Sequence, residues 1–194
     1  CGVVPVAISK EVGASLTRVY GINKFATIPN CIPFEKYSTS KIPRQEWRGT
    51  NGFKTDDILF VCVAGLRHEK NHALLLNAFA VGPTKSPLAH LLLVGDGDQK
   101  IKLEKLREKL RLQKRVHFLG FRTDIPEILC SADVFVLSSD YEGSPLSVIE
   151  AMASGKPIIS TAVGGIPELV ENNKQGILLP PNDAEALANA MLHL

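Results

Sequence analysis

Apolar residues along this chain form short unbroken bursts, and these alternate with longer stretches in which apolar residues recur at every third or fourth position. The bursts at 58–64, 89–94, 115–119, 133–138, 157–161 and 176–179 are too short for helices and show no polar face. They read as strands covered on both sides. Helical spacing fills the intervals at about 70–81, 98–112, 124–131, 145–154 and 165–171, and a last helix runs from an Asp183 cap to the end. This alternation predicts an α/β fold: a doubly wound parallel sheet with right-handed crossovers, Rossmann-like in plan.

The first part of the chain is patterned differently. Val3 to Ile8 predicts a strand, Lys10 to Tyr20 a helix behind a Ser9 cap with Val12, Leu16 and Val19 turned inward, and Phe25 to Ile28 a second strand. Pro33 to Asp57 is polar and is interrupted by Pro43, Gly49 and Gly52 around a short helix near Gln45 to Arg48. A linker is expected there. It divides the chain into 1–45, the end of a preceding domain with its linker, and 46–194, the doubly wound domain. The chain starts at Cys1 with no initiator Met, so a longer protein is expected.

Composition narrows the partners. With 45% hydrophobic and 22% charged residues in 194, the chain has ample material for one core. A net charge of only +2 argues against nucleic acid as the main partner. No apolar run approaches a membrane span, and CGVVPVAIS has neither the basic region nor the cleavage site of a signal peptide. The cysteines Cys1, Cys31, Cys62 and Cys130 form no CxxC pair. Cys62 and Cys130 read as small buried hydrophobes in a reducing, cytoplasmic compartment. Basicity is concentrated in 99–116, which carries eight basic residues against two acidic ones. With Leu103, Leu106 and Leu110 as its buried stripe, this reads as a solvated surface helix, the alternative being docking to an anionic membrane surface.

The chemistry is expected between Ala132 and Pro157. A strand there runs into a polar loop, Ser138 to Gly143, and then into a helix with Ser144-Pro145 at its start and Gly155 at its end. Unpartnered amides at such a helix start attract phosphate, and here they would be those of Ser144 to Ser147. Glu142 and Glu150 bracket the mouth. Glu150 stands among Val148, Ile149, Ala151 and Met152, where a buried carboxylate needs a partner such as a ribose diol. A helix-dipole Glu and a solvated Glu would give the same spacing.

Gly95-Asp96-Gly97 lacks a third glycine, since position 100 is Lys, and reads as a tight turn rather than a dinucleotide fingerprint. His68 and His72 have a metal-compatible spacing with no further ligand to complete a site, and read as surface residues.

Glu142-Gly-Ser-Pro-Leu-Ser-Val-Ile-Glu150 resembles the E-x7-E motif of group-1 (family 4) retaining glycosyltransferases of the GT-B fold. Ala151-Met152-Ala153-Ser154-Gly155-Lys156-Pro157 and Gly164-Gly165-Ile166-Pro167-Glu168 are similar to that family's flanking signatures. The resemblance implies the donor-binding half of an enzyme moving sugar from a UDP- or GDP-type donor to a hydroxyl acceptor, in glycan, lipid-linked saccharide or polysaccharide biosynthesis, without a metal cofactor. It implies Glu142 at the reacting sugar, Glu150 on the ribose, and Gly143, Ser144, Pro145, Leu146 and Ser147 around the phosphates. Phe121 and Arg122 would lie against the base. Lys70 matches the family's phosphate-clasping Lys, whereas Gly65 occupies the position of its Arg, so Arg67 is expected to substitute. Pro29-Asn30-Cys31-Ile32-Pro33 departs from the commoner PNG-D where the preceding domain ends. A UDP-sugar 2-epimerase, a phosphorylase and a non-catalytic nucleotide-sugar-binding module share the same pocket and stand as alternatives. The isolated fragment, lacking the other half of the cleft, is expected to be inactive, and the basic helix 99–116 offers a peripheral contact with the inner face of the membrane.

Overall fold

The computed structural model of the protein describes residues 3–193. Its N-terminal part holds β1 (Val6–Ala7), α1 (Lys10–Tyr20) and β2 (Ala26–Thr27), with β1 and β2 paired in parallel as a separate small sheet. Ser9 caps α1 as expected, its Oγ accepting from the Val12 N–H at 3.1 Å, and Gly21 ends it in the left-handed conformation. Both strands are shorter than their apolar patterns, because a lone two-strand ladder has no further strand to extend it. Val19 is 65% exposed rather than inward. The helix packs instead through Gly13, where a Cβ would fall 2.4 Å from the Phe25 ring.

The polar stretch that follows is packed. It carries α2 (Phe34–Ser38) and α3 (Arg44–Thr50), which bury Tyr37, Trp47 and Arg48 against α6 (Ile125–Ser131) and α7 (Leu146–Ala153). Arg48 is only 1% exposed. Its guanidinium donates to the carbonyls of Ser131, Thr55 and Asp57 at 3.0, 2.9 and 2.8 Å and to the Asp133 carboxylate at 2.7 Å. A fully satisfied buried arginine of this kind is invisible to hydropathy.

The remaining strands are β3 (Ile58–Val63), β4 (Ala89–Val94), β5 (Val116–Gly120), β6 (Val134–Leu137), β7 (Ile158–Thr161) and β8 (Gly176–Leu179). They form one parallel sheet ordered β5-β4-β3-β6-β7-β8. The chain therefore winds outward through β3, β4 and β5 and returns to start again at β6. That reversal leaves a crevice at the carboxyl ends of β3 and β6, where folds of this plan bind ligands. The apolar bursts are buried as expected: Leu59 to Cys62, Leu91 to Leu93 and Phe135 to Leu137 are all inaccessible or nearly so.

The helices differ from expectation where a residue takes a left-handed backbone. Asn71, at φ 44°, splits the first predicted helix into a single 3-10 turn, His68–Lys70, and α4 (His72–Val81). Arg111, at φ 58°, stands just past α5 (Lys100–Lys109), whose Leu103 is buried with Leu106 and Leu110 beside it. Pro145 holds the cap position of α7 rather than its first helical position. Beyond β7, α8 is a single short helix (Ile166–Leu169), and Asp183 caps α9 (Ala184–His193) through Oδ1 and the Ala186 N–H. No helix among the described residues is long and apolar enough to cross a membrane. Cys31 is exposed, Cys62 buried and Cys130 half-buried, so Cys130 is less enclosed than its apolar context implied. Cys1 lies outside the described residues.

Candidate active site

Three loops interlock at the crevice. Ser138, just past β6, donates through Oγ to the carbonyls of Lys70 and Asn71 at 3.1 and 3.0 Å, and the Asp140 N–H reaches the Glu69 carbonyl at 2.9 Å. Thr161, at the end of β7, donates to the Ser139 carbonyl at 2.6 Å. The Gly165 N–H then bonds the Gly143 carbonyl, and the Asn30 amide reaches the Ser144 carbonyl at 2.7 Å. Glycines permit the last approach: a Cβ on Gly164 would stand 1.6 Å from the Glu142 carbonyl oxygen, and one on Gly165 would stand 2.2 Å from that of Gly143. Glu168, from the same motif, accepts from the first amides of α1, Lys10 and Glu11, and so ties the N-terminal segment to this loop.

Gly95 and Gly97 do similar work under the β3 loop. Side chains there would meet the carbonyls of Ala64 and Leu66 at 2.1 and 2.4 Å. The tight-turn reading of Gly95-Asp96-Gly97 therefore holds, and the turn supports the loop that carries Arg67 and Lys70.

The carboxylates are buried in the opposite order from expectation. Glu142 is only 6% exposed, and its Oε1 accepts from Lys70 Nζ and Ser139 Oγ, each at 2.7 Å. Glu150 is half-buried, on the side of α7 that meets α2. Its Oε1 accepts from the Tyr37 hydroxyl at 2.6 Å. Burial and the neighbouring Glu150 push the Tyr37 phenol up to about 12, so it stays protonated at neutral pH and can donate to the carboxylate.

Arg67 is exposed and forms no ion pair or side-chain hydrogen bond among the described residues. Its stem folds back over Gly65, with Nε 3.7 Å from where a Cβ at that position would be. Arg67 thus covers the ground an arginine at 65 would have started from. At the head of α7, no hydrogen bond among the described residues uses the amides of Gly143, Ser144, Leu146 or Ser147. Pro145 has no N–H and contributes only its ring.

Phe121 and Arg122 line a pocket of about 320 Å³ together with Gly65, Gly95 and Asp96, continuous with the β3 loop. Phe121 is 80% exposed, its ring open to stacking. The Arg122 guanidinium is committed to Asp124, with contacts of 2.7 and 2.5 Å that raise the pKa of Arg122 and lower that of Asp124. Asp124 stands at the cap position of α6, yet its carboxylate serves Arg122 and the Trp47 indole instead of the helix amides.

His72 corrects another expectation. It is 2% exposed, because the first residue of α4 turns against β3, and its Nε2 lies 3.7 Å from Cys62 Sγ. Burial and the charge of Lys70 hold its pKa down at about 4, so it is neutral at physiological pH. His68 is exposed. No group of three or more His, Cys, Asp or Glu among the described residues could hold a metal ion. Tyr37, Ser138 and Ser139 were not legible as site residues. Asn30 was legible only as part of the Pro29-Asn30 motif.

Comparison with known proteins places this geometry. Residues 43–194 match the family model of glycosyl transferases group 1. The Escherichia coli UDP-Gal:alpha-D-GlcNAc-diphosphoundecaprenol alpha-1,3-galactosyltransferase is 32% identical over 174 residues, covering 88% of this chain and 45% of its own length. The Bacillus anthracis N-acetyl-alpha-D-glucosaminyl L-malate synthase is 34% identical over 74% of this chain and 37% of its own. Among solved structures, Anabaena HepE in complex with UDP-glucose superposes with a TM-score of 0.89 at 28% identity, over 98% of this chain and 53% of that one. The chain spans about half the length, or less, of these relatives. Its fold is that of a GT-B, Rossmann-like glycosyltransferase domain. Since the family model covers well over half of the sequence and the E. coli relative exceeds 30% identity across most of it, the chain belongs to the group 1 glycosyltransferases.

Proposed function

We propose that the chain is the donor-binding half of a retaining glycosyltransferase that moves a sugar from a UDP- or GDP-type donor to a hydroxyl acceptor in polysaccharide or lipid-linked glycan synthesis. The observation that carries this reading is the Lys70–Glu142 pair at the β3/β6 crevice, flanked by unengaged amides at the head of α7 and by Arg67 folded over Gly65. Names of similar proteins support the donor class, since they include UDP-Gal and UDP-glucose.

As the bond from the anomeric carbon to the diphosphate breaks, negative charge grows on the leaving phosphate oxygens. Lys70, Arg67 and the amides of Gly143, Ser144, Leu146 and Ser147 meet that charge, a task for which no metal ion is needed. The Glu142 carboxylate, buried and fixed by Ser139, faces the positive charge that develops at the sugar. Glu150 holds the ribose, and Phe121 lies against the base. Acceptor alignment falls to the other half of the cleft and supplies a large share of catalysis. The exposed Ile101 between Lys100 and Lys102 on α5 suits contact with the inner face of an anionic membrane.

Nuclear magnetic resonance of the transfer product tests the reading. The full-length protein is expected to turn an α-linked donor into an α-linked product at a rate insensitive to EDTA. The isolated 194 residues should bind nucleoside diphosphate in the range of about 10 μM to 1 mM with no turnover. A β-linked product rejects retention, and release of an epimerised free sugar assigns the pocket to an epimerase.

A further inference from the structure

Glu150 is held by a residue outside the doubly wound sheet. The Tyr37 hydroxyl donates to Glu150 Oε1 at 2.6 Å, and no other side chain or backbone group among the described residues donates to that carboxylate. Tyr37 is itself 6% exposed. Its helix, α2, packs between α6 and α7, the Lys36 ammonium lies 5.5 Å over its ring, and Cys130 Sγ lies 3.8 Å from its carbonyl oxygen. The ring therefore has little freedom, and neither has the hydroxyl.

We propose that Tyr37 is a positioning residue that fixes the Glu150 carboxylate for the ribose diol of the donor, an inference that rests on the reading of Glu150 as the ribose acceptor. A half-buried glutamate with no partner samples several rotamers, and that freedom is lost when ligand binds. The Tyr37 hydrogen bond removes it beforehand and occupies one oxygen. Oε2 has no partner among the described residues and stays available to the ribose. Because the phenol donates to Oε1, the arrangement holds the Glu150 carboxylate in one orientation. Tyr37 belongs to the segment that follows β2 in the chain and packs on α6 and α7, so recognition of the sugar ring of the nucleotide depends on how that connecting segment is seated. A displaced α2 would loosen donor binding by freeing the Glu150 carboxylate.

The test compares affinities for UDP and 2′-deoxy-UDP, with the GDP pair alongside, in the full-length protein and its Tyr37→Phe and Glu150→Ala variants. Tyr37→Phe keeps the ring and its packing, so the melting temperature should hold. Ribonucleotide affinity should fall about tenfold while the deoxy analogue changes little, moving the ribo/deoxyribo ratio toward that of Glu150→Ala. If Glu150→Ala collapses the ratio and Tyr37→Phe leaves it alone, or weakens both nucleotides equally, Tyr37 acts only on packing and the proposal fails while the Glu150 reading stands. If Glu150→Ala itself leaves the ratio unchanged, the ribose assignment fails and the Tyr37 proposal fails with it.

Discussion

Glu142→Gln should lower sugar transfer by about 10²–10³-fold while leaving nucleoside-diphosphate affinity equal or tighter. The substitution keeps the size of the side chain and an oxygen for Ser139 Oγ, which now lies 2.7 Å away, and removes only the charge. If that charge faces the anomeric carbon, its loss acts on the transition state, and single electrostatic contacts of this kind are worth about 3–4 kcal/mol. The binding arm has the opposite sign because Lys70, bonded to Glu142 at 2.7 Å, is released to the phosphates when its counter-ion is neutralised. Turnover and calorimetric affinity of the full-length protein decide the matter. Unchanged turnover, or parallel loss of turnover and affinity, would show that Glu142 only holds the loop.

The second large effect is expected away from any charged group. Gly164 has φ 54°, and a Cβ there would stand 1.6 Å from the Glu142 carbonyl oxygen. Gly164→Ala therefore combines left-handed backbone strain, about 1–2 kcal/mol, with an overlap that forces one loop off the other, about 1–3 kcal/mol. A stability loss of about 2–5 kcal/mol is expected, together with misplacement of Glu142. Gly155→Ala is the matched control: φ is 67°, yet nothing lies within 4 Å of the added carbon, so only the backbone part remains. Urea unfolding of the two variants separates the contributions. Equal losses would mean that the close approach of the two loops is immaterial.

The sheet was legible in the sequence because a parallel strand buried on both faces must be an unbroken apolar run, and such runs have few other uses. Motif spacing brought the crevice residues together for a related reason. Glu142, Gly143 and the α7 amides are local to one strand-loop-helix unit, so sequence neighbours are spatial neighbours there. What sequence pattern missed depends on contacts across the chain. Tyr37 reaches Glu150 from another helix, and Arg48 satisfies three carbonyls in two other segments, so both look like ordinary residues of a polar stretch. The burial order of the two glutamates was misjudged because apolar sequence neighbours on a helix lie all round it and say nothing of which face position 150 presents. His72 was misplaced because Asn71, in a left-handed turn, delays the start of α4 to residue 72 and aims that first side chain at Cys62. Helix ends at Asn71 and Arg111 follow from non-glycine residues at positive φ, which propensity does not foresee.

The central claim is that the β3 loop and the head of α7 form a diphosphate site that works through protein groups alone. Calorimetry of UDP and GDP against uridine and guanosine, on the wild-type protein and its Arg67→Ala and Lys70→Ala variants, with and without EDTA, tests it most directly. The account predicts that both substitutions weaken the diphosphates by about tenfold or more, Lys70→Ala the more because it leaves Glu142 facing the phosphates unpaired, while the nucleosides are unaffected and EDTA changes nothing. Equal losses for nucleoside and diphosphate, or binding that collapses when metal is chelated, would contradict it.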